Sequence, residues 1–352
     1  MGQNQSFPNL DIAKLIMAFL VVEIHTKPLN DVESNVVAQI VNGIDCVAVP
    51  FFFIASGFLC FRGLALRDFG DGGSHASARV RGTICKQLTL YATWTVLFLP
   101  LALFGARLRG WSAVETVLHI ARGVLLVGEN DFTWPLWYLL ASVTAFALIY
   151  ILLRKGVAPR PILVLSAGML LLGQVVEIAR GWEDALVPIA LLVDLYSAVF
   201  VTARNGLFEG FFYVAVGMYV GLGWGSRPLP RLGTTVACLA LGLAGCVLIS
   251  PSAHLPFCAI FAVALFLLCV RRTGDLPHPW ARKASTVVYL VHMAFAVAFV
   301  YGICGYGEID FFTAPVSHVV LYSFTLVCSL LTASIVIPLG RKVSLVKTIF
   351  GV

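Results

Sequence analysis

Charged side chains are scarce in this 352-residue chain, where only 12% of the residues are Asp, Glu, Lys or Arg. A soluble globular domain carries about 25%. Hydrophobic residues make up 59% and the mean hydropathy is +0.92. These values exclude a disordered segment, a nucleic-acid-binding arm and a soluble two-domain enzyme. Ten spanning helices of about 20 residues would occupy about 200 residues, so most of the chain is expected to lie in a bilayer.

The chain also lacks cysteine pairs, internal repeats and low-complexity segments. Nine cysteines are present, but none forms a Cys-x-x-Cys pair. Most lie inside apolar stretches, where cysteine behaves as a small hydrophobic residue. We therefore expect neither a disulfide framework nor a metal site. The first apolar stretch is long and contains a lysine and a histidine, so a cleavable signal peptide is not expected either.

Ten apolar stretches are each about long enough to cross a bilayer. They predict an all-α integral membrane protein, a bundle of about ten transmembrane helices that forms one domain over residues 1–352. The stretch 112–127 has helical spacing of apolar residues and predicts an interfacial helix. Asp194 argues for the same in 185–201, or for a re-entrant segment. The predicted spans are 10–29, 36–61, 84–104, 135–153, 161–178, 207–223, 233–250, 256–270, 284–304 and 315–338.

Lysine and arginine are distributed unevenly between the predicted loops. With the N-terminus placed in the cytoplasm, 18 of the 24 Lys and Arg residues fall in inner segments. Cytoplasmic loops of membrane proteins carry such an excess. The pattern predicts cytoplasmic N- and C-termini and an even number of spans. The net charge of +6 is therefore interpreted as a topology signal, and no nucleic-acid partner is expected.

Ionisable residues inside spans are costly, which makes each of them a functional hypothesis. Lys14 and His25 are eleven residues apart in the first span, so they share a helical face, about 16 Å apart along the axis. Glu23 falls on the opposite face. The structural alternatives are a snorkelling lysine and an ordinary interface histidine. Otherwise, the shared face describes a path through the membrane with a cation at one end and a titratable base at the other.

The second span contains another acid, Asp45, eleven residues before Ser56. The spacing predicts that the two share a face, and Ser56-Gly57 permits another helix to approach closely. A lone aspartate costs about 2.5–3.5 kcal/mol at the bilayer centre. We therefore expect a cationic or hydrogen-bonding partner for Asp45, which His25 or a neighbour could supply.

Four motifs, in order along the whole chain, resemble the acyltransferase 3 family. Its members are bacterial integral membrane proteins that decorate surface polysaccharides and related glycans. The family usually has arginine where this chain has Lys14, and lysine keeps the charge but lacks the planar fork. The motifs are Lys14 and His25 with ten residues between them, Val49-Pro50-Phe51-Phe52-Phe53-Ile54-Ala55-Ser56-Gly57, a basic loop running into Leu90-Tyr91 and Trp94, and Tyr289-Leu290-Val291-His292.

The resemblance implies a membrane-bound O-acyltransferase of the bacterial cytoplasmic membrane. It would take an acyl group, most often acetyl, from acyl-CoA as co-substrate on the cytoplasmic side, with no bound cofactor. The acceptor would be a hydroxyl of a surface glycan or lipid-linked saccharide. Membrane lipids and polysaccharide-biosynthesis proteins would be its other partners.

His25 is the expected base, because a positioned imidazole can take the proton of a weakly nucleophilic alcohol near neutral pH. A transient acyl-histidine is the second route. Asp45 would orient the imidazole, and Lys14 would hold the CoA end or stabilise developing charge. The residues expected to bind CoA are Arg79, Arg81 and Lys86, together with Ser56; for the basic loop the alternative is plain positive-inside topology.

A third group of residues is expected at the acceptor. Trp134, Trp137 and Tyr138 would stack on a sugar, unless they belong to an interfacial aromatic belt. Arg204 and Asn205 would contact an anionic or hydroxylated acceptor, unless they cap a helix. His292 would serve the acceptor or join two helices.

Two other functions stay open at this stage. Multiple spans with buried charge also fit a transporter or a glycolipid flippase, although the chain shows no repeat between its halves. A catalytically silent relative that assembles a polysaccharide complex is the third reading, because Lys14 replaces the usual arginine.

Overall fold

The computed structural model of the chain describes residues 6–32, 34–70, 74–181, 187–249, 255–274 and 277–352. The protein is 79% helix, and the described residues contain no strand; Ser6 and Gly274 form one isolated bridge. The expected all-helical architecture is therefore confirmed.

Every predicted span is largely helical. The last residue of the span 233–250 lies outside the described residues. The predicted interfacial stretch is α5 followed by a π-helical turn, Gly123–Val127, and α8 covers the described part of 185–201. The helices are α1 (Pro8–Thr26), α2 (Asn35–Asp45), α3 (Ala48–Phe61), α4 (His75–Leu108), α5 (Ala113–Arg122), α6 (Trp137–Arg154), α7 (Pro159–Arg180), α8 (Val187–Phe200), α9 (Phe211–Leu222), α10 (Leu232–Leu248), α11 (Leu255–Arg271), α12 (Pro279–Val297), α13 (His318–Leu339) and α14 (Ser344–Phe350).

Several helices are long and apolar enough to cross a membrane, which indicates a multi-pass membrane protein. Helices α8, α9, α10 and α11 are also apolar but shorter. Helix α1 has 19 residues but carries Asp11, Lys14 and Glu23. Ten spans and cytoplasmic termini remain predictions. In the described part of the chain, the six segments of spanning length are Val36–Phe61, His75–Leu108, Trp134–Arg154, Pro159–Arg180, Pro279–Ile303 and His318–Leu339.

The predicted span 36–61 is two helices rather than one. Helix α2 ends at Asp45, α3 begins at Ala48, and Pro50 lies in the first turn of α3. Proline lacks the backbone N–H and its ring clashes with the carbonyl four residues earlier, here that of Cys46. The expectation that Asp45 and Ser56 share a face assumed an unbroken helix between them, and it stays a prediction.

One compact unit comprises residues 1–10, 49–88 and 138–277. In it α7 packs on α9 and α10 packs on α11. Helices α3 and α9 meet at two glycines: a Cβ on Gly57 would lie 2.5 Å from the carbonyl oxygen of Val214, and one on Gly217 would collide with the carbonyl of Ile54. The close approach predicted from Ser56-Gly57 is confirmed.

The other compact unit comprises residues 11–48, 89–137 and 278–352. In it α12 packs along α13, and the indole Nε1 of Trp94 donates to the carbonyl oxygen of Ile349 at 2.8 Å. Helix α5 begins with a capping box in which Ser112 and Glu115 exchange hydrogen bonds, and none of its residues is buried. Its exposed Val114, Val117 and Leu118 suit the predicted interfacial position, which stays a prediction.

Candidate functional site

Two histidines from distant parts of the sequence meet in the second unit. Nε2 of His292, on α12, lies 3.2 Å from Nδ1 of His25, on α1. The ring of His292 is fully buried, with 0% exposure, whereas His25 is only partly buried. Of the two, only His25 can therefore meet a substrate.

The hydrogen-bond partners of the pair assign the tautomer of each ring. Nδ1 of His292 lies 2.8 Å from the carbonyl oxygen of Tyr289 and 3.1 Å from that of Val288. A carbonyl oxygen only accepts, so this Nδ1 carries the hydrogen and Nε2 of the neutral ring has the lone pair. Nδ1 of His25 then faces two acceptors, Nε2 of His292 and the carbonyl oxygen of Val21 at 2.8 Å.

His25 must therefore carry its hydrogen on Nδ1, which leaves the lone pair of its neutral ring on Nε2. No hydrogen bond to Nε2 is found among the described residues, and this atom is not one of the sealed polar atoms that lack a partner. The arrangement presents a free basic nitrogen on a ring that two acceptors hold from behind. A general base needs this combination.

Aromatic side chains form a wall beside His25. The rings of His25 and Trp134 are nearly parallel, with centroids 6.0 Å apart, and Trp134 lies in the same way against Phe312 at 5.4 Å. Nζ of the exposed Lys27 lies 4.2 Å from the centroid of Phe312. The hydroxyl of Tyr289 donates to the carbonyl of Pro135, which ties α12 to the turn that carries Trp134.

The structure places Asp45 beside another acid. Its Oδ1 is buried and has no hydrogen-bond partner in the described part of the chain, and its charged neighbour is Glu23. The groups that contact Nδ1 of His25 are the carbonyl of Val21 and the ring of His292. The expected contact between Asp45 and this nitrogen is therefore not observed.

Lys14 belongs to a charged group at the beginning of α12. The Asp11 carboxylate accepts the backbone N–H of His278 at 3.2 Å. The same carboxylate interacts electrostatically with Arg282 and with Lys14. Lys14 and Arg282 thus give this end of the unit two cations around one carboxylate.

The residues predicted to bind CoA lie in the first unit. Arg79 donates to the carbonyl oxygens of Leu59 at 2.6 Å and Arg62 at 3.0 Å, and it thereby caps the C-terminal end of α3. Arg81 and Lys86 are exposed on α4. The structure brings two predicted site residues together, since the Ser56 and Tyr138 hydroxyls lie 3.0 Å apart. Trp137 directly precedes Tyr138 at the start of α6 and is partly buried.

Asn205 caps the turn before α9, in the same unit. Its Oδ1 accepts the N–H groups of Leu207 and Phe208, and its Nδ2 donates to the Tyr196 hydroxyl at 2.7 Å. Arg204 is exposed. The capping alternative describes the geometry of Asn205, whereas Arg204 keeps a guanidinium open to solvent.

The comparison with known families is decisive for the chain as a whole. The family model described as an acyltransferase domain, that of acyltransferase 3, matches residues 7–334. The chain belongs to the acyltransferase 3 family. The resemblance drawn from four motifs is confirmed.

Curated relatives of this acyltransferase 3 protein include larger proteins with other names. A serine/alanine racemase of Enterococcus gallinarum is 33% identical over 60% of this chain and 28% of its own length. Two amino-acid racemases of Enterococcus faecalis are 25% and 24% identical, over 62% and 96% of this chain and 29% and 47% of their own. The chain thus spans less than half of each relative that it matches. No solved structure matches it.

The sequence singled out His25 and His292 but gave no reason to pair them, because their contact depends on how α1 and α12 pack. Phe312 and Lys27 were not predicted as site residues. Lys27 directly follows α1, and the aromatic pair Phe311-Phe312 was the available signal. In the described ranges no group of three or more His, Cys, Asp or Glu residues could hold a metal ion.

Proposed function

We propose that this acyltransferase 3 protein transfers an acyl group, acetyl in the first instance, from cytoplasmic acyl-CoA to a glycan hydroxyl outside the cytoplasm. The acceptor is a surface glycan or a lipid-linked saccharide, and the protein works in the bacterial cytoplasmic membrane beside polysaccharide-biosynthesis proteins. Family membership supports acyl transfer. The observation that carries the mechanism is the free Nε2 of His25, left by the two acceptors at Nδ1.

The reaction follows from the properties of an alcohol and a thioester. Nε2 of His25 takes the hydroxyl proton as the oxygen attacks the thioester carbon, and the CoA thiolate leaves. Such general-base assistance contributes typically 10²–10⁴ in rate. Attack by His25 itself, which forms an acyl-histidine that the alcohol then cleaves, uses the same free nitrogen.

The CoA end of the reaction is assigned to cations predicted to face the cytoplasm. CoA carries several phosphate charges, and the exposed residues Arg81 and Lys86 are assigned to contact them. Arg79 has five N–H donors, of which the α3 carbonyls occupy some. Lys14 contributes from the charged group it forms with Asp11 and Arg282.

The acceptor end is assigned to aromatic and polar groups near the predicted outer surface. Trp134 lies beside the base and is partly exposed, so the accessible part of its indole is assigned to contact with a sugar ring. Trp137, Arg204 and Asn205 remain the further acceptor residues of the proposal, with Arg204 the most accessible of them. Tyr138 is buried, at 7% exposure, and is not assigned to the acceptor.

One observation favours a transporter or flippase as the second candidate. The break between α2 and α3 lies next to buried Asp45, whose Oδ1 has no partner in the described residues. Interrupted helices with polar groups at the break line the binding sites of many transporters. Acyl transfer is preferred, because the family and the free base both support it. The racemase names belong to relatives of which this chain covers less than half, and racemisation is not proposed.

The test is an assay of the purified protein in vesicles. Acetyl-CoA labelled in its acetyl group is added on the predicted cytoplasmic side, and labelled ester is measured on a lipid-linked saccharide, together with free acetate. We expect ester or acetate to form and His25→Ala to abolish both. Movement of the saccharide between leaflets without release of CoA would instead identify a flippase.

A further inference from the structure

We propose that His292 is a positioning residue that receives, on Nε2, the proton that Nδ1 of His25 gives up during acyl transfer. This inference rests on the proposed function, because it requires His25 to be the base. It assigns His292 a task behind His25 in place of contact with the acceptor.

The burial of His292 excludes the simpler role. Its side chain is 0% exposed, so it does not reach an acceptor in this structure. Its Nδ1 is anchored by the carbonyl oxygens of Val288 and Tyr289, 3.1 and 2.8 Å away. Both carbonyls lie one turn earlier on α12, so they fix the rotation of the ring. Nε2 is thereby directed at Nδ1 of His25, at 3.2 Å.

Of the two groups that contact Nδ1 of His25 in the described part of the chain, only His292 can take a proton. The carbonyl of Val21, at 2.8 Å, accepts a hydrogen bond but is not basic. Asp45, which could have served as a carboxylate behind the imidazole in the manner of hydrolase triads, has Glu23 as its charged neighbour. The neutral imidazole of His292 presents a lone pair on Nε2. Once this ring is protonated, its Nδ1–H still donates to the carbonyl oxygens of Val288 and Tyr289.

The transfer balances without an added reactant. The hydroxyl proton of the acceptor moves to Nε2 of His25, while the hydrogen on Nδ1 moves to Nε2 of His292. The oxygen forms its bond to the acyl carbon, and the carbon–sulfur bond breaks to release the thiolate. The two protons then move back, from His292 to Nδ1 of His25 and from Nε2 of His25 to sulfur. The products are the ester and CoA thiol, and both rings return to their starting tautomers.

The first experiment compares His292→Gln with wild type in the acyl-transfer assay. Glutamine offers an amide oxygen to Nδ1 of His25 but cannot take up a proton. We expect kcat to fall about 10–100-fold, the loss typical of groups that orient a metal-bound histidine through its second nitrogen, with KM for acetyl-CoA within twofold. A kcat within threefold of wild type overturns the proposal.

His318→Gln is the matched control. His318 is also buried, at 3% exposure, but its Nδ1 lies 2.8 Å from the carbonyl oxygen of Thr26 rather than at the ring of His25. We expect its kcat to stay within threefold of wild type. An equal loss of kcat in His292→Gln and His318→Gln would show that losing any buried histidine suffices, which contradicts the specific role.

The second experiment needs no variant to be active. Histidine labelled with ¹⁵N in the wild-type protein in lipid nanodiscs reports the protonated nitrogen of each ring, and His25→Gln and His292→Gln assign the signals. We expect both rings to carry hydrogen on Nδ1. A hydrogen on Nε2 of His292 in the neutral pair would overturn the proposal, because that nitrogen could no longer accept.

The outcomes separate the inference from the proposed function. Loss of transfer in His25→Gln, with full transfer in His292→Gln, would retain the base and reject the role of His292. A wild-type protein that neither transfers nor hydrolyses any acyl-CoA would reject the proposed function itself, whatever the tautomers are.

Discussion

The side-chain hydroxyls of Ser56 and Tyr138 lie 3.0 Å apart and join α3 to the first turn of α6. The ring of Tyr138 also lies against Phe53, with centroids 4.6 Å apart. Two residues that the sequence assigned to different ligands are thus each other's neighbours. The contact holds two apolar helices in one register, whatever else the hydroxyls bind.

Removing either hydroxyl should lower stability by about 0.5–1.5 kcal/mol, the usual contribution of one hydrogen bond. The measurement is the free energy of unfolding of Ser56→Ala, Tyr138→Phe and the double variant. We expect the double variant to lose less than the two single losses together, because both remove the same bond. Strictly additive losses would contradict the contact.

A larger side chain at Gly57 should prevent α3 from packing on α9. A Cβ there would lie 2.5 Å from the carbonyl oxygen of Val214, and backbone cannot yield as a flexible side chain can. Overpacking of this kind costs about 1–3 kcal/mol or more, so Gly57→Val should reduce accumulation of folded protein in membranes. Gly168→Ala, on α7 with open space around it, is the control and should accumulate normally.

Hydrophobic runs predicted the helices well, because burial in a bilayer needs about 20 apolar residues and little else. Each predicted run therefore matches a helical segment of the structure. The exception is 36–61, where Pro50 breaks the backbone ladder although the apolar pattern continues. Proline gave the signal, but composition alone does not say whether a helix bends or ends.

The site was less predictable than the fold, because its contacts join residues far apart in sequence. His25 stood out as an ionisable group in a span, and His292 came from the fourth motif. Their pairing needs α1 and α12 to be neighbours, which no periodicity contains. Asp45 was predicted to pair with His25 on the grounds of charge and depth, but those grounds apply equally to any polar group at that level of the membrane.

Topology can be tested with two native cysteines. Cys85 and Cys304 are both exposed, and the predicted orientation places the first at the cytoplasmic side and the second outside. In variants that keep one cysteine each, a membrane-impermeant maleimide added to intact cells should label Cys304 and miss Cys85 until the cells are opened. Labelling in the reverse pattern would invert the orientation, and with it the side that acyl-CoA must reach.

Replacement of His25 should remove activity without removing the protein. His25→Ala leaves the helix intact, and the lost hydrogen bonds cost about 1 kcal/mol of stability. The lost base costs a factor of 10²–10⁴ in rate. Transfer should therefore be measured at matched membrane levels, with His75→Ala, an exposed histidine on α4, as the control. Activity of His25→Ala within threefold of wild type would contradict the assignment of His25 as the base.

Two replacements of Lys14 can distinguish a role in binding acyl-CoA from a role in membrane topology alone. Its neighbours are the Asp11 carboxylate and, through it, Arg282, so the position lies in a cationic group rather than alone in lipid. Lys14→Arg keeps the charge and restores the residue that the family usually has. Lys14→Gln removes the charge but keeps polarity and similar length.

If Lys14 holds the anionic end of acyl-CoA, Lys14→Gln should raise KM for acetyl-CoA about 10–100-fold, as expected for a lost charge-assisted hydrogen bond of about 1.5–3 kcal/mol. Lys14→Arg should stay within about threefold. The measurement is the acetyl-CoA dependence of transfer for both variants at matched expression. A residue that only snorkels to the headgroups would tolerate glutamine, since a span with one charge fewer inserts more easily. Equal, near-wild-type kinetics for the two variants would therefore remove Lys14 from the site and leave Arg282 as the cation beside Asp11.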